Sequence, residues 1–357
     1  MTGTLANIER IIFLTRSSLG DLLLMTPAIR AVRESYPFAR ISILIKQEFR
    51  EVFEHNSDVD EILTFESRAL REVGGWRRLR EELRIFQVLR KGRFDVAVAF
   101  YPEDRTAWWS VLSGARYRVG PRRQPFHFLL NIKVDAGEKK AGVRAYFLET
   151  VRAISAQTLS QQTSFRPTCD EEAWAEMFVQ SHGLDEGKML IGVHPGASGR
   201  YKVWPPENFA AVLQELREEE NMKVLLFQGP DDDEVIRQIT ARMNPPPIVA
   251  KTSSRLGQLA ALMERCQLCI VADSGPRHLA ASVGARTLAL FRRNHSAAWR
   301  IYSEEEGHFI LENTELCPHC PAARCADKIP VHEVYGAYCL RKISVGEVLS
   351  KVREILD

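Results

Sequence analysis

The 357-residue sequence contains no apolar run that approaches the length of a membrane-spanning helix, which takes about 20 residues. Its formal net charge is only +2 at pH 7, so the composition gives no sign of a nucleic-acid partner. The first apolar run, Ile11–Leu14, is too short for a signal peptide. These absences lead us to expect a cytoplasmic protein, whose 7 cysteines are reduced thiols or metal ligands rather than disulfides.

Two common nucleotide-binding signatures are also missing. The chain has no Gly-rich loop that ends in Gly-Lys-Ser or Gly-Lys-Thr, and no Gly-x-Gly-x-x-Gly follows its first predicted strand. The first absence argues against a P-loop NTPase, and the second argues against a dinucleotide-dependent oxidoreductase.

Short apolar runs alternate with helical patterns in two series, and a Gln-, Ser- and Thr-rich segment at 156–168 separates them. Buried parallel strands have this run length. We therefore predict an α/β protein with two doubly wound, Rossmann-like domains, residues 1–165 and 166–342, and a last helix at 343–357. We expect the binding site in a cleft between the two domains.

The segment Arg16–Asp21, with the sequence Arg-Ser-Ser-Leu-Gly-Asp, joins the first predicted strand to the first helix. Ligands of open α/β sheets bind at such carboxyl ends of strands. Asp21 therefore either caps the helix, which is a common role of Asp, or faces a ligand. This segment alone does not decide between the two roles.

Three loops in the second half also follow strands and precede helices, so they open on one edge of a parallel sheet. Their polar residues include Ser198, Lys202, Asp232, Asp273, Ser274, Gly275 and His278. Backbone N–H groups at a helix start and a lysine suit a diphosphate, and a carboxylate suits sugar hydroxyls. Considered singly, Lys202 is equally explained as a solvated lysine and His278 as a satisfied helix residue.

Together these segments resemble the ADP-heptose:lipopolysaccharide heptosyltransferase family, glycosyltransferase family 9. The matching motifs are, in chain order, Arg16–Asp21 with Thr26-Pro27-Ala28, His194–Ser198, Lys202-x-Trp204-Pro205, Gly229-Pro230 and Asp273–His278 with Ala280-Ala281. The resemblance covers nearly the whole chain and is looser from 66 to 170. It implies a GT-B fold, in which the first of two facing Rossmann-like domains binds the acceptor and the second binds the nucleotide sugar. In such proteins the last helix often crosses back onto the first domain.

The resemblance also implies the reaction and its acceptor-side residues. Asp21 matches the family's proposed catalytic base, in a motif whose Ser18 and Gly20 would contact the acceptor. The implied reaction is an inverting transfer of heptose from ADP-L-glycero-D-manno-heptose to the Kdo/heptose–lipid A inner core of lipopolysaccharide. The family needs no metal ion or other cofactor for this reaction.

On the donor side, Lys202 matches the lysine at the diphosphate, and Asp273 matches the residue near the heptose hydroxyls. The other implied donor residues are Ser198, Asp232, Ser274, Gly275 and His278. The ribose-contacting acid is Asp232 or Asp231, because the local register is ambiguous.

A basic stretch at 66–93 contains Arg77 and Arg78, which lie where the family has a basic, acceptor-facing loop. Arginine suits bidentate contacts with the phosphates and carboxylates of the acceptor. Since that acceptor is embedded in the membrane, the resemblance implies peripheral contact with the cytoplasmic face of the inner membrane. The alternative is a solvated helix face.

Four thiols near the C-terminus form a cysteine-rich loop at 317–339. They are Cys317, Cys320, Cys325 and Cys339. A Cys-x-x-Cys pair with two further thiols is typical of a structural zinc or iron site. The later spacing is irregular, however, so reduced thiols that pack a loop remain the alternative.

Two other functions stay open. The same fold could glycosylate a protein, as some relatives glycosylate autotransporters, or could use another nucleotide sugar. A non-catalytic nucleotide-sugar-binding scaffold is the second alternative, which the presence of both Asp21 and Lys202 disfavours.

Overall fold

The computed structural model describes residues 5, 7–71, 75–101, 104–122, 126–135, 142–252, 255–292, 301–313, 335–336 and 338–357. The chain forms two compact units, Met1–Ser164 and Phe165–Asp357. Their division falls inside the polar segment at 156–168, next to the predicted boundary at 165.

The first unit is built on a six-stranded parallel sheet in the order β3-β2-β1-β4-β5-β6. Its strands are β1 (Arg10–Leu14), β2 (Arg40–Lys46), β3 (Glu61–Phe65), β4 (Val96–Ala99), β5 (Tyr117–Pro121) and β6 (Ile132–Val134). Its helices are α1 (Leu19–Ser35), α2 (Glu51–Glu54), α3 (Ser67–Arg71), α4 (Trp76–Gly92), α5 (Asp104–Leu112) and α6 (Val143–Arg152), with 3₁₀ turns at Gln47–Phe49 and His127–Leu129. This is the Rossmann strand order, which reverses between β1 and β4.

The second unit repeats this topology with the order β12-β11-β10-β7-β8-β9, again all parallel. Its strands are β7 (Met189–His194), β8 (Met222–Gln228), β9 (Ile248–Lys251), β10 (Leu268–Ala272), β11 (Thr287–Phe291) and β12 (His308–Glu312). Its helices are α7 (Cys169–Ser181), α8 (Pro206–Glu218), α9 (Asp233–Thr240), α10 (Leu256–Glu264), α11 (Gly275–Ser282), α12 (Tyr338–Arg341) and α13 (Val345–Leu356), with a 3₁₀ turn at Arg200–Lys202. Here the order reverses between β7 and β10, so a ligand site is expected at their carboxyl ends.

Helix α1 contains a proline, and its neighbour compensates for the missing N–H group. Pro27 cannot donate to the carbonyl of Leu23, four residues earlier. The Thr26 hydroxyl donates to that carbonyl instead, at 2.7 Å. The same hydroxyl oxygen accepts the Ser164 N–H at 3.0 Å. The Thr-Pro pair thus keeps a buried helix intact and attaches the end of the first unit to it.

Helix α13 belongs to the core of the second unit. Val348, Val352 and Ile355 are buried in the cluster that also contains apolar residues of α8, and the two helices pack together. Arg353 adds a hydrogen bond to Glu219 at 2.8 Å. The predicted crossing of this helix to the first domain stays a prediction.

The fold class predicted from the sequence, α/β with two doubly wound domains, is confirmed. Four outer strands, β5, β6, β9 and β12, were not predicted from the sequence. None of the helices in the described parts of the chain is long and apolar enough to cross a membrane.

Candidate active site

Asp21 lies in the first turn of α1, a few residues after the end of β1. Ser18 is the N-cap residue, so Asp21 is the third residue of the helix and not its cap. The Ser18 hydroxyl donates a hydrogen bond to Asp21 Oδ2 at 3.2 Å. Asp21 is half-buried and lies at the positive end of the helix dipole. An ionised, partly accessible carboxylate can accept a proton from a bound hydroxyl group.

The turn before Asp21 is held by Thr15. The Thr15 N–H donates to the carbonyl of Leu44 on β2 at 3.2 Å, and the Thr15 hydroxyl donates to Ser17 Oγ at 2.7 Å. Of the two predicted acceptor contacts nearby, Ser18 is exposed and Gly20 is buried. The turn therefore offers the Ser18 side chain and the Asp21 carboxylate at the carboxyl edge of the first sheet.

Lys202 ends the 3₁₀ turn in the loop after β7. Trp204, two residues later, is fully buried, and its Nε1 donates to the Ile343 carbonyl at 3.0 Å. The indole also meets Phe209 edge to face, with ring centroids 5.1 Å apart. These contacts anchor the loop, so Trp204 positions the lysine that precedes it.

Lys202 shares its surroundings with a carboxylate and a second cation. Burial lowers the pKa of Lys202, the Asp273 carboxylate opposes this shift, and the Arg292 guanidinium adds to it. Asp273 and Arg292 therefore both lie close enough to act on the Lys202 ammonium. Two cations against one carboxylate leave positive charge at this edge of the sheet, which suits an anionic ligand.

Arg292 directly follows β11 and was not predicted from the sequence. Its side chain is buried, and its Cζ lies 4.8 Å from the centroid of the Tyr201 ring. Within the described ranges, Arg292 Nε has no hydrogen-bond partner. Its position directly after a strand could have identified Arg292 as a site residue, because Asp273 has the corresponding position after the neighbouring strand β10.

Asp273, Ser274 and Gly275 connect β10 to α11 and are all half-buried. Ser274 is the N-cap residue, Gly275 is the first residue of the helix, and Pro276 follows in the second position, where its missing N–H group costs nothing. This helix start presents backbone amides beside the Asp273 carboxylate, next to strand β7. Such amides bind phosphate groups.

Asp232 joins the loops that follow β7 and β8. It is buried, accepts the Gly229 N–H at 2.9 Å, and has its Oδ2 3.6 Å from His194 Nε2. A Cβ atom on Gly196 would lie 1.9 Å from Asp232 Oδ1, so a larger residue there would force the loop or the acid to move. Burial lowers the pKa of His194, although Asp232 opposes the shift. Asp232 therefore links the two loops through these contacts, whereas its neighbour Asp231 is exposed.

The other two predicted donor residues differ in accessibility. Ser198 is exposed. His278 is buried, and its Nδ1 lies 3.2 Å from the Tyr302 hydroxyl. Burial holds the pKa of His278 well below its ordinary value, with Arg277 and His308 adding to the effect. His278 is therefore a buried side chain of α11 whose lowered pKa favours its neutral form, and its contact with a donor stays a prediction.

Arg77 and Arg78 lie in the first turn of α4, in the same unit as Asp21. The basic segment thus begins a helix of 17 residues, with Gly75 as its N-cap residue. Arg77 is exposed and Arg78 is half-buried.

The predicted cysteine site lies almost entirely outside the described residues, which include none of Cys317, Cys320 and Cys325. Cys339 is described and is a buried, free thiol in α12. Among the described residues, no group of three or more His, Cys, Asp and Glu side chains is placed to hold a metal ion. A structural metal therefore has no support from this part of the chain.

Sequence comparison finds relatives of this chain among known heptosyltransferases. The profile of glycosyltransferase family 9 (heptosyltransferase) matches residues 82–328. A lipopolysaccharide heptosyltransferase 3 from Escherichia coli is 24% identical over 345 residues, which cover 94% of this chain and 96% of that protein.

Solved structures show the same fold. A family 9 glycosyl transferase from Veillonella parvula superposes with a TM-score of 0.79 at 24% identity and covers 98% of this chain and 97% of its own. E. coli heptosyltransferase WaaC with ADP-2-deoxy-2-fluoro heptose superposes with a TM-score of 0.73 at 14% identity, covering 97% and 99% of the two chains. Since the family profile spans more than half of the chain, this protein belongs to glycosyltransferase family 9, the heptosyltransferase family, and has its GT-B fold.

Proposed function

We propose that this glycosyltransferase transfers heptose, with inversion, from ADP-L-glycero-D-manno-heptose to the Kdo/heptose–lipid A inner core of lipopolysaccharide. One observation carries the proposal: Lys202 and Arg292 lie with Asp273 beside the helix start at Ser274 and Gly275. This charge distribution suits the diphosphate of a nucleotide sugar. The names of the relatives, which include lipopolysaccharide heptosyltransferases, support the sugar and the acceptor.

Departure of ADP is the step that these residues assist. As the bond from the anomeric carbon to the diphosphate oxygen breaks, its electron pair and negative charge pass to the diphosphate. The Lys202 ammonium, the Arg292 guanidinium and the amides of Ser274 and Gly275 stabilise that charge. The anomeric carbon meanwhile becomes oxocarbenium-like.

Asp21 is the proposed general base of the attack. An acceptor hydroxyl oxygen bonds to the anomeric carbon on the face opposite to ADP, and its proton passes to the Asp21 carboxylate. A β-linked donor then yields an α-linked product. The hydroxyl of Ser18, which contacts Asp21 Oδ2, orients this carboxylate.

The remaining predicted residues have subsidiary roles in this proposal. Asp273 accepts hydrogen bonds from the heptose hydroxyls, Ser198 contacts the diphosphate, and Asp231 or Asp232 contacts the ribose. Gly20 gives the acceptor close access to the backbone. Arg77 and Arg78 bind the phosphates and carboxylates of the acceptor. The acceptor's lipid places the reaction at the cytoplasmic face of the inner membrane.

An ADP-release screen tests the proposal. Wild-type protein is incubated with ADP-heptose and with other nucleotide sugars, each with a de-acylated core acceptor, a Kdo–lipid A acceptor and an autotransporter peptide. We expect ADP release only with ADP-heptose and a core acceptor. Release with the peptide or with another sugar would replace the proposed substrates, and ADP binding without release under any condition would indicate a binding scaffold.

The role of Asp21 is tested by Asp21→Asn with Glu34→Gln as the matched control. Glu34 is an exposed carboxylate at the other end of α1. We expect turnover by Asp21→Asn to fall by at least about 100-fold, since it removes a general base, with the affinity for ADP kept. Near-normal turnover would exclude Asp21 as the base.

A further inference from the structure

Helix α4 has an apolar stripe on its solvent side as well as a buried one. Ile85 and Leu89 are buried in the core of the first unit. The exposed stripe consists of Trp76, Leu79, Leu83 and Phe86, whose exposed fractions are 78%, 50%, 51% and 39%. Spacings of three and four residues place these side chains on one face, away from the buried pair. A soluble helix that only covers a core would have polar residues on this face.

Basic side chains border the stripe. The helix has six basic residues, Arg77, Arg78, Arg80, Arg84, Arg90 and Lys91, against only two acids. Both acids are in ion pairs: Glu81 is buried against Arg84 at 2.6 Å, and Glu82 pairs with Arg105 of α5 at 2.9 Å. At about 100° per residue, Arg80 and Lys91 fall along one border of the stripe and Glu82 along the other. Both Arg80 and Lys91 are exposed.

Neighbouring elements widen the apolar surface. The Glu82–Arg105 ion pair attaches α5 to α4, and α5 exposes Trp108 and Val111. The turn His127–Leu129 packs against α5 and exposes Phe128. Of the eleven most exposed large apolar side chains in the described residues, seven lie on these three elements. Such a concentration marks an interaction surface rather than scattered exposure.

We propose that this face of the first unit, formed by α4, α5 and the turn His127–Leu129, docks on an anionic lipid bilayer. Trp, Phe and Leu with a border of Lys and Arg are the composition of helices that lie in a membrane interface. The apolar stripe enters the acyl boundary, and Arg80 and Lys91 meet anionic headgroups. The positive charges of Arg80 and Lys91 favour an anionic bilayer, rather than an apolar groove of a partner protein, as the occupant of this face.

The inference deepens the proposed function, on which it rests for the lipid-anchored acceptor. Arg77 and Arg78 are in the same helix as the stripe. Docking brings this first turn to the level of the headgroups, where the phosphates of a lipid-anchored acceptor lie. The membrane face would thus place the acceptor within reach of the first unit.

Vesicle co-sedimentation of the full chain tests the proposal. The probes are vesicles of phosphatidylethanolamine with phosphatidylglycerol and vesicles of phosphatidylcholine alone. The test variant is Trp76→Ser/Leu83→Ser, and the matched control is Leu159→Ser/Met177→Ser, since Leu159 and Met177 are also highly exposed but lie elsewhere. We expect the test variant to bind anionic vesicles at least about tenfold more weakly than the control does.

The basic border is tested by Arg80→Gln/Lys91→Gln, which should weaken binding to anionic vesicles and reduce its salt dependence. Three outcomes would each overturn the proposal. Wild type could bind no vesicles, it could bind neutral and anionic vesicles equally well, or Trp76→Ser/Leu83→Ser could bind anionic vesicles as strongly as wild type does. A change of oligomeric state without a change of vesicle binding would identify a contact between copies instead.

Activity with a water-soluble, de-acylated core acceptor separates this inference from the proposed function. The stripe variant should turn over this acceptor like wild type and lose rate only with vesicle-bound acceptor. If wild type binds anionic vesicles but transfers no heptose, the proposed function is wrong and the proposed membrane docking is supported. If wild type transfers heptose to the soluble acceptor but does not bind vesicles, only the proposed membrane docking is wrong.

Discussion

The Arg292 guanidinium packs on the ring of Tyr201, with its Cζ 4.8 Å from the ring centroid. Lys202, the next residue after Tyr201, has its Nζ 6.0 Å from the same ring. Tyr201 therefore joins the loop after β7 to the residue that follows β11, two strands away in the sheet. An aromatic face stabilises both cations, but it neutralises neither of them. The site is thus prepared for an anion before one binds.

Removal of the Arg292 charge should weaken donor binding. We expect Arg292→Gln to bind ADP at least about tenfold more weakly by isothermal titration calorimetry, because a charged hydrogen bond to phosphate is lost. The control is Arg242→Gln, in an exposed arginine of the same unit. Equal ADP affinity in Arg292→Gln and the control would remove Arg292 from the donor site.

The affinity for ADP should fall as the pH rises through the alkaline range. Burial lowers the pKa of Lys202, and Arg292 lowers it further, although Asp273 acts against them. Lys202 is charged below this lowered pKa and becomes neutral as the pH passes it, earlier than an ordinary lysine would. Titration calorimetry at increasing pH measures the decline.

Lys202→Arg provides the control for this pH dependence, because an arginine keeps its charge throughout the range. We expect a flatter profile in this variant. In Arg292→Gln the decline should move to higher pH, since one cause of the lowered pKa is gone. A decline that is identical in wild type and Lys202→Arg would show that another group titrates.

The two units illustrate what a sequence pattern can and cannot predict. Strand β1 was predicted because Ile11–Leu14 is purely apolar, and these residues are fully buried in the structure. Strand β5 was not, because Arg118 interrupts its pattern. Its guanidinium donates to the carbonyls of Leu129 and Ala115 at 2.8 and 3.1 Å, contacts that only the folded chain supplies.

The candidate site shows the same limit. Asp273 was predicted as a site residue because a recognisable motif surrounds it. Arg292 has no such motif, and only the packing on Tyr201 and the nearness of Lys202 show its importance. The family resemblance found Asp232, but the burial of its carboxylate between His194 and the Gly229 amide could not be predicted from a linear pattern.

The position of the Asp232 carboxylate should depend on the absence of a side chain at Gly196. A Cβ atom at position 196 would stand 1.9 Å from the Asp232 carboxylate, so Gly196→Ala must displace the loop or the acid. We expect Gly196→Ala to lower the free energy of unfolding by about 1–3 kcal/mol, as overpacking does, and to weaken ADP binding. A lower thermal midpoint in differential scanning calorimetry would report the first effect.

Asp231→Asn and Asp232→Asn then resolve which acid meets the ribose. If Asp232 holds the two loops together, Asp232→Asn should lower both the thermal midpoint and the affinity for ADP. Asp231 is exposed, so Asp231→Asn should lower the affinity alone. If Asp232→Asn changes affinity without changing stability, Asp232 contacts the ligand directly and its loop role is wrong.

Turnover should not depend on a divalent cation. Lys202 and Arg292 supply the charge that a metal ion would otherwise bring to the diphosphate. We expect a chelator to leave ADP release unchanged, and restoration of lost activity by a divalent ion would contradict this. Metal analysis of untagged protein, with Cys317→Ser/Cys320→Ser as the comparison, tests the separate prediction of a structural zinc or iron.

Arg77 and Arg78 should act on the acceptor rather than on the donor. With the de-acylated acceptor, we expect Arg77→Gln/Arg78→Gln to raise KM at least about tenfold and to reduce its salt dependence, because bidentate contacts with anionic groups are lost. The affinity for ADP should stay unchanged. The control is Arg80→Gln/Lys91→Gln, which alters the same helix along the border of its apolar stripe.

That control separates the two proposed uses of the helix. Since Arg80 and Lys91 are assigned to the bilayer, their removal should leave KM for the soluble acceptor unchanged while it weakens vesicle binding. Arg77→Gln/Arg78→Gln should raise KM even where no membrane is present. If both double variants raise KM equally, the basic residues act only through the net charge of α4, and a specific acceptor contact by its first turn is wrong.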